Sequence, residues 1–213
     1  MTTSVPQRDP RYDILFEPVP IGPVTARNRF FQVPHCNGMG HRYPKAMAAM
    51  RGVKAEGGWA VVSTEEVEVD WHSDISPYIE GRLWDDRDIP YHAAMVEAVH
   101  AHGALAAIEP VHQGLACSNL YTREHVLGPS GGPGLQHHPV AARAMDREDI
   151  RSARRRHRDF AVRAKRAGYD IIYVYAGHDL SLAMHFLLPR YNQRTDEYGG
   201  SLENRVRFLR ELL

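Results

Sequence analysis

Short apolar runs alternate with segments of helical periodicity along this chain, a pattern typical of βα units around a parallel sheet. The pattern predicts strands at 28–34, 59–64, 104–109 and 169–175. It predicts helices at about 44–56, at about 90–102, from a cap at Asp146 to about Gly168, and after a cap at Ser201. These bounds agree with the usual preference of aspartate and serine for helix starts and of glycine for helix ends.

Four consecutive βα units with polar residues after each strand predict an α/β fold, the first four units of a TIM (β/α)8 barrel. A complete barrel takes roughly 250 residues, and this chain has 213, so we expect a C-terminally truncated barrel. Residues 1–27 are expected to lead into it and residues 28–213 to form half of the barrel. An open four-stranded parallel sheet is the alternative on counting alone.

Composition narrows the range of partners. The chain is 43% hydrophobic and has 26 basic and 26 acidic residues, so nothing favours nucleic acid or an anionic membrane, and a small molecule is the expected partner. No signal-peptide pattern or membrane-length apolar run occurs, which predicts a cytoplasmic protein. The two cysteines, Cys36 and Cys117, are too few for a disulfide framework or a four-cysteine metal site.

The most specific motif is residues 190–205, RYNQRTDEYGGSLENR. It resembles the segment that follows the fourth strand in the old yellow enzyme superfamily, and earlier landmarks agree in order: Leu15–Pro18, Asn28–Phe30 and Asp146–Ile150. The resemblance covers about Asp13 to Leu213. We interpret the motif itself as a structural clasp, since it combines charged side chains with a flexible Gly-Gly pair before a serine cap.

Two shorter motifs are similar to the trimethylamine/dimethylamine (histamine) dehydrogenase subgroup of that superfamily. Val33-Pro-His-Cys36 ends the first strand and Tyr175-Ala-Gly-His178 follows the fourth. The resemblance implies FMN, attached to Cys36 by a 6-S-cysteinyl bond, and a cysteine thiolate is a suitable nucleophile for an electron-poor ring carbon. The cofactor-binding residues it implies are Val33, Pro34, His35, Cys36, Ser63, Thr64 and Glu109.

The same resemblance implies catalytic and substrate-binding roles for Tyr175 and His178. Glu66 stands where trimethylamine dehydrogenases carry a tyrosine, which disfavours a tertiary ammonium ion and favours an amine with an N–H. Glu80 is a second acidic candidate, although we expect it to be a solvated loop carboxylate. The structural alternatives are a buried apolar role for the cysteine, solvated carboxylates at Glu80 and Glu109, and a purely structural Tyr-His pair.

The resemblance therefore implies oxidation of a small amine by hydride transfer to FMN. It further implies an electron-transfer flavoprotein as partner, a homo-oligomer, and a [4Fe–4S] centre supplied by a part beyond these residues. Two alternatives stay open. One is an NAD(P)H-dependent enoate or dienoyl-CoA reductase, or a methylated-amino-acid demethylase, of the same superfamily; the other is a non-catalytic half-barrel that needs a partner chain.

Overall fold

The structure is a computed structural model that describes residues 8–76, 80–135 and 139–213. After a 3-10 helix at Pro10–Phe16, the strands are β1 (Val19–Ile21), β2 (Val24–Ala26), β3 (Phe31–Gln32), β4 (Val61–Glu68), β5 (Gly81–Arg82), β6 (Leu105–Val111), β7 (Leu127–Gly128), β8 (Gly132–Pro133), β9 (Ala141–Ala144) and β10 (Ile171–Ile172). The helices are α1 (Pro44–Glu56), α2 (Ile89–His100), α3 (Arg147–Ala167), α4 (Leu182–Leu187) and α5 (Leu202–Leu212).

The main sheet follows chain order. Its strands lie in the order β3, β4, β6 and β10, all parallel, with β5 added to the far end of β4. Parallel neighbours require crossover connections, and α1, α2 and α3 supply them. The prediction of parallel strands alternating with helices is confirmed, and the carboxyl ends of all these strands meet at one edge.

Two predicted strands are shorter than expected. The strand predicted at 28–34 is regular only at β3, and the one predicted at 169–175 only at β10. In the described part of the sheet these are the outer strands, each paired on one side. A strand with a single neighbour has fewer ladder hydrogen bonds to keep it extended, whereas the central β4 and β6 run longer than predicted.

Side-chain alternation along the central strands divides the core. Val62, Ala106 and Ile108 point to the helical layer and pack with buried residues of α1, α2 and α3. Val61 and Ala107, one position away, point to the opposite face. A period of two is what a strand imposes, so both faces of the sheet are apolar and covered, as in α/β proteins.

The helix boundaries follow local chemistry. Pro44 begins α1, the reciprocal Asp146–Asp149 capping box begins α3, and Gly168 ends α3 with a left-handed φ of 98°. The short helix α4 was not predicted, because its six residues are too few to show helical periodicity. No helix among the described residues is both long and apolar enough to cross a membrane.

The 190–205 motif ties three loops together. Asn192 Nδ2 donates to the carbonyls of Phe186 at 2.6 Å and Tyr198 at 2.7 Å. Arg194 Nη1 donates to the carbonyl of Pro129 at 2.9 Å and also to that of Met145. These side chains bond to backbone carbonyls of neighbouring segments, and Arg194 also binds Asp196 within the motif, in agreement with the predicted structural clasp.

Candidate functional site

The middle of β4 carries two buried hydroxyl groups. Ser63 Oγ donates to the Gln32 carbonyl at 2.6 Å and lies 2.7 Å from Tyr173 Oη. Thr64 Oγ1 accepts the backbone N–H of Glu109 at 3.1 Å. Both hydroxyls are thus satisfied inside the sheet. The predicted cofactor contacts of Ser63 and Thr64 stay predictions.

A bulge lies directly after them. Ser63 pairs with Ala107, but Glu66 pairs with Glu109, so β4 has an extra residue across this step. Bulges re-aim side chains and are common next to active sites. Here the bulge brings two carboxylates from neighbouring strands to the same edge of the sheet.

These two carboxylates are strongly desolvated. Burial raises the pKa of Glu109 to about 7, and the nearby negative charge of Glu66 acts in the same direction. Glu109 is only 8% exposed. Even so, no described residue donates a hydrogen bond to its carboxylate. Glu109 is therefore a buried group with hydrogen-bonding capacity to spare, not the solvated carboxylate of the structural alternative.

Glu66 has partners of its own. Gln113 Nε2 donates to its Oε2 at 2.6 Å. Burial raises the pKa of Glu66, while Gln113, the charge of His178 and a hydrogen bond from Tyr175 act in the opposite direction. The carboxylate thus connects the end of β4 with the segments that follow β6 and β10.

Tyr175 and His178 form a close pair after β10. Tyr175 Oη lies 2.6 Å from His178 Nδ1, and the two rings are tilted by 34°. His178 and Asp179 both have left-handed backbone conformations, with φ of 57° and 58°. Such conformations are uncommon outside glycine and cluster at functional sites. Burial, and then the charge of Glu66, raises the pKa of Tyr175, so its phenol keeps its proton.

The segment between β3 and α1 presents the predicted attachment residue to solvent. Val33 is 65% exposed, Pro34 is half-buried, and His35 and Cys36 are exposed. Partial desolvation raises the pKa of the Cys36 thiol, and a hydrogen bond to Glu80 and the charge of Glu80 add to that rise. Cys117 is buried.

The structure corrects the interpretation of Glu80 that was made from the sequence. It was expected to be a solvated loop carboxylate, yet it is half-buried, and its Oε2 has no hydrogen-bond partner among the described residues. Burial raises the pKa of Glu80 to about 7, against a hydrogen bond from Cys36. Glu80 therefore belongs beside the sulfur.

The structure brings Cys36, Glu66, Glu109, Tyr175 and His178 to the carboxyl edge of the sheet from four different strands. Sequence reasoning missed three further residues at this edge: Gln113 and the buried Arg51 and Glu65. Gln113 could have been noticed, because it follows the third strand as Glu66 follows the second. Nothing in the pattern around Arg51 marks it, since it lies inside a helix.

Comparison with known proteins extends these observations. Residues 14–213 match the family model described as the NADH:flavin oxidoreductase / NADH oxidase family. Dimethylamine dehydrogenase of Hyphomicrobium sp. (strain x) is 41% identical over 97% of this chain. Histamine dehydrogenase from Rhizobium sp. 4-9 is 54% identical, with a TM-score of 0.94 over 96% of this chain.

A third relative is the 6-hydroxypseudooxynicotine amine oxidase of Pseudomonas geniculata N1, 52% identical with a TM-score of 0.94 over 97% of this chain. The chain spans 29% of the Hyphomicrobium enzyme and 32% and 31% of the two structures. Old yellow enzyme-type proteins such as morphinone reductase, 26% identical with a TM-score of 0.80, share the fold. The architecture is thus part of a TIM barrel of the old yellow enzyme type, and the chain belongs to the NADH:flavin oxidoreductase / NADH oxidase family.

Proposed function

We propose that these residues form the flavin-facing and amine-facing part of an FMN-dependent amine dehydrogenase. The observation that carries the proposal is the set of Glu66, Tyr175 and His178, in which a carboxylate from β4 interacts at one edge with a phenol and an imidazole that follow β10. The relatives described above bear the names of dehydrogenases or oxidases of amines. A carboxylate beside hydrogen-bonding groups is suited to an amine, which carries N–H donors and a positive charge when protonated.

The residues present fit a flavin. Val33 exposes an apolar side chain at the end of β3, and Glu109 offers a buried carboxyl group with no protein partner in the described part of the chain. A flavin ring has an apolar face and a polar edge that match these two features. We propose that Val33, Pro34, His35, Ser63, Thr64 and Glu109 border the ring and that Cys36 is bonded to it. When bound, FMN would supply the electron acceptor for the hydride of the carbon next to nitrogen.

Tyr175 and His178 would exchange a proton with the amine nitrogen of the substrate. The raised pKa of Tyr175 keeps its phenol protonated, and its Oη lies 2.6 Å from Nδ1 of His178, within hydrogen-bond distance. The pair therefore offers a proton-exchanging group at a fixed position, which keeps the amine nitrogen in its neutral, oxidisable form.

Glu66 selects among amines. Gln113 binds only one of its oxygens in the described structure, Oε2, which leaves acceptor capacity for the substrate. A neutral primary or secondary amine has an N–H to donate, whereas a neutral tertiary amine has none. We therefore propose a small secondary or primary amine as substrate, with trimethylamine disfavoured.

Two measurements on the flavin-loaded protein test the proposal. After acid precipitation, the yellow colour should remain with the polypeptide and should pass to the supernatant in Cys36→Ala; free FMN from the unmodified protein would refute covalent attachment. Anaerobic addition of dimethylamine or histamine should bleach the flavin, and trimethylamine should do so less. Oxidation of NADPH by an unsaturated ketone, with no bleaching by any amine, would instead identify a reductase.

Several finer points stay predictions. They are the identity of the amine, the [4Fe–4S] centre, the electron-transfer flavoprotein, the homo-oligomer and the division at residue 28. The two cysteines of this chain cannot by themselves supply the ligands of such a cluster.

A further inference from the structure

We propose that Arg51 and Glu65 are positioning residues that hold the Cys36 segment from both sides and so set where its sulfur points. Arg51 comes from α1 and Glu65 from β4, and both are completely buried. The inference rests on the proposed attachment of flavin at Cys36, and it concerns what prepares that residue rather than the oxidation of the amine.

The hydrogen bonds to the segment flank the cysteine. Arg51 Nη2 donates to the carbonyl of His35 at 2.8 Å, and the backbone N–H of Asn37 donates to Glu65 Oε2 at 3.2 Å. The residue before Cys36 is thus held by a buried cation and the residue after it by a buried anion. Charge-assisted hydrogen bonds are stronger than neutral ones, so two of them, one on each side of Cys36, fix the backbone that carries the sulfur.

Arg51 is itself fixed by the sheet. Its Nη1 donates to Gln32 Oε1 at 3.2 Å, and that oxygen also accepts the N–H of Ser63 at 3.1 Å. Its Nε lies 3.4 Å from Met47 Sδ. The cation therefore connects α1, β3 and β4, and it transmits the rigidity of the sheet to a segment that has no regular secondary structure of its own.

The energetic cost of this arrangement argues for a role beyond stability. Isolated buried charges are unfavourable, and an apolar pair of similar volume is often at least as stable. In the described structure no salt bridge joins Arg51 to Glu65: Arg51 donates to the His35 carbonyl and to Gln32, and Glu65 accepts the N–H of Asn37. Glu80, Glu66, Tyr175 and Arg51 are the charged or titratable groups that act on the sulfur, and the position of the segment decides how close they are.

Positioning matters for the bond that Cys36 is proposed to form. The attachment replaces the S–H bond and a ring C–H bond with an S–C bond. The electron pair and both hydrogens pass to an oxidant such as dioxygen, which becomes hydrogen peroxide. The sulfur must face the ring carbon before that bond can form, and a small displacement is enough to slow an intramolecular step strongly.

The test measures the thiol without any flavin. In the unmodified 213-residue chain, alkylation of Cys36 by iodoacetamide is followed by mass spectrometry against pH, with buried Cys117 as the unreactive internal reference. The double variant Arg51→Met/Glu65→Met removes both bonds and leaves no unpaired buried charge. We expect its reaction profile to move to lower pH, toward the value of about 8.5 for a free thiol, with alkylation at least roughly fivefold faster at about pH 8.

A folded double variant with the profile of the unmodified chain would overturn the proposal. If the double variant does not fold, Arg51→Lys is measured instead, because lysine keeps the charge but lacks the planar guanidinium group. A smaller shift of the alkylation profile toward lower pH supports the proposal, and an unshifted profile overturns it. Exposed Arg158→Lys and Glu56→Gln are the matched controls and should leave the profile unchanged. Incubation of the unmodified chain with FMN is a separate arm, and a missing adduct there refutes covalent attachment without altering the alkylation result.

Discussion

Replacement of Glu109 by glutamine should make the stability of the chain less sensitive to alkaline pH. In the folded protein burial raises the pKa of Glu109 from the ordinary 4.5 to about 7. The folded state therefore binds the proton more tightly than the unfolded state does. The free energy of unfolding therefore falls as the pH rises from the unfolded pKa to the folded pKa. The full loss is present above the folded pKa.

The size of the effect follows from the same values. A rise from 4.5 to about 7 corresponds to about 3 kcal/mol at about 1.36 kcal/mol per pKa unit. Glutamine does not ionise, so Glu109→Gln should gain about 3 kcal/mol relative to the unmodified chain between about pH 4.5 and about pH 8. Any cost of burying the amide is the same at both pH values and cancels.

Urea unfolding at the two pH values measures this difference directly. Glu97→Gln, an exposed change on α2, is the control and should alter stability by less than about 0.5 kcal/mol at either pH. A stability difference between Glu109→Gln and the unmodified chain that is the same at both pH values would refute the reasoning. It would mean that solvent or a neighbouring donor stabilises the carboxylate in the folded protein.

Two further perturbations test the neighbouring parts of the structure. Glu80→Gln should lower the pKa of the Cys36 thiol, because the Glu80 carboxylate raises it. The rate of alkylation at a fixed pH should then rise roughly tenfold for each pKa unit by which the thiol pKa falls. An unchanged rate would show that Glu80 does not act on the sulfur. Gly199→Ala should destabilise the chain by about 1–3 kcal/mol in thermal or urea unfolding, because a Cβ there would overlap the carbonyl of Arg194. Gly57→Ala, whose added Cβ stays 3.4 Å from its nearest neighbours, is the control, and equal losses at the two glycines would contradict the clasp.

The sequence by itself determined the alternation of strands and helices, the parallel sheet, and the helix ends at Pro44, Asp146 and Gly168. Each of these depends on local chemistry: the period of apolar residues, a proline or a cap, and a glycine that accepts left-handed φ. The motifs were also sufficient to identify the family, and they located the strand ends at which Cys36 and Tyr175 lie.

Only the tertiary structure decided which side chains meet at those strand ends. The bulge between Ser63 and Glu66 depends on how two strands pair, and a register shift leaves no mark in either strand alone. The raised pKa values of Glu80 and Glu109 depend on burial by residues distant in sequence. Arg51 and Glu65 reach the Cys36 segment only because α1 and β4 pack on either side of it.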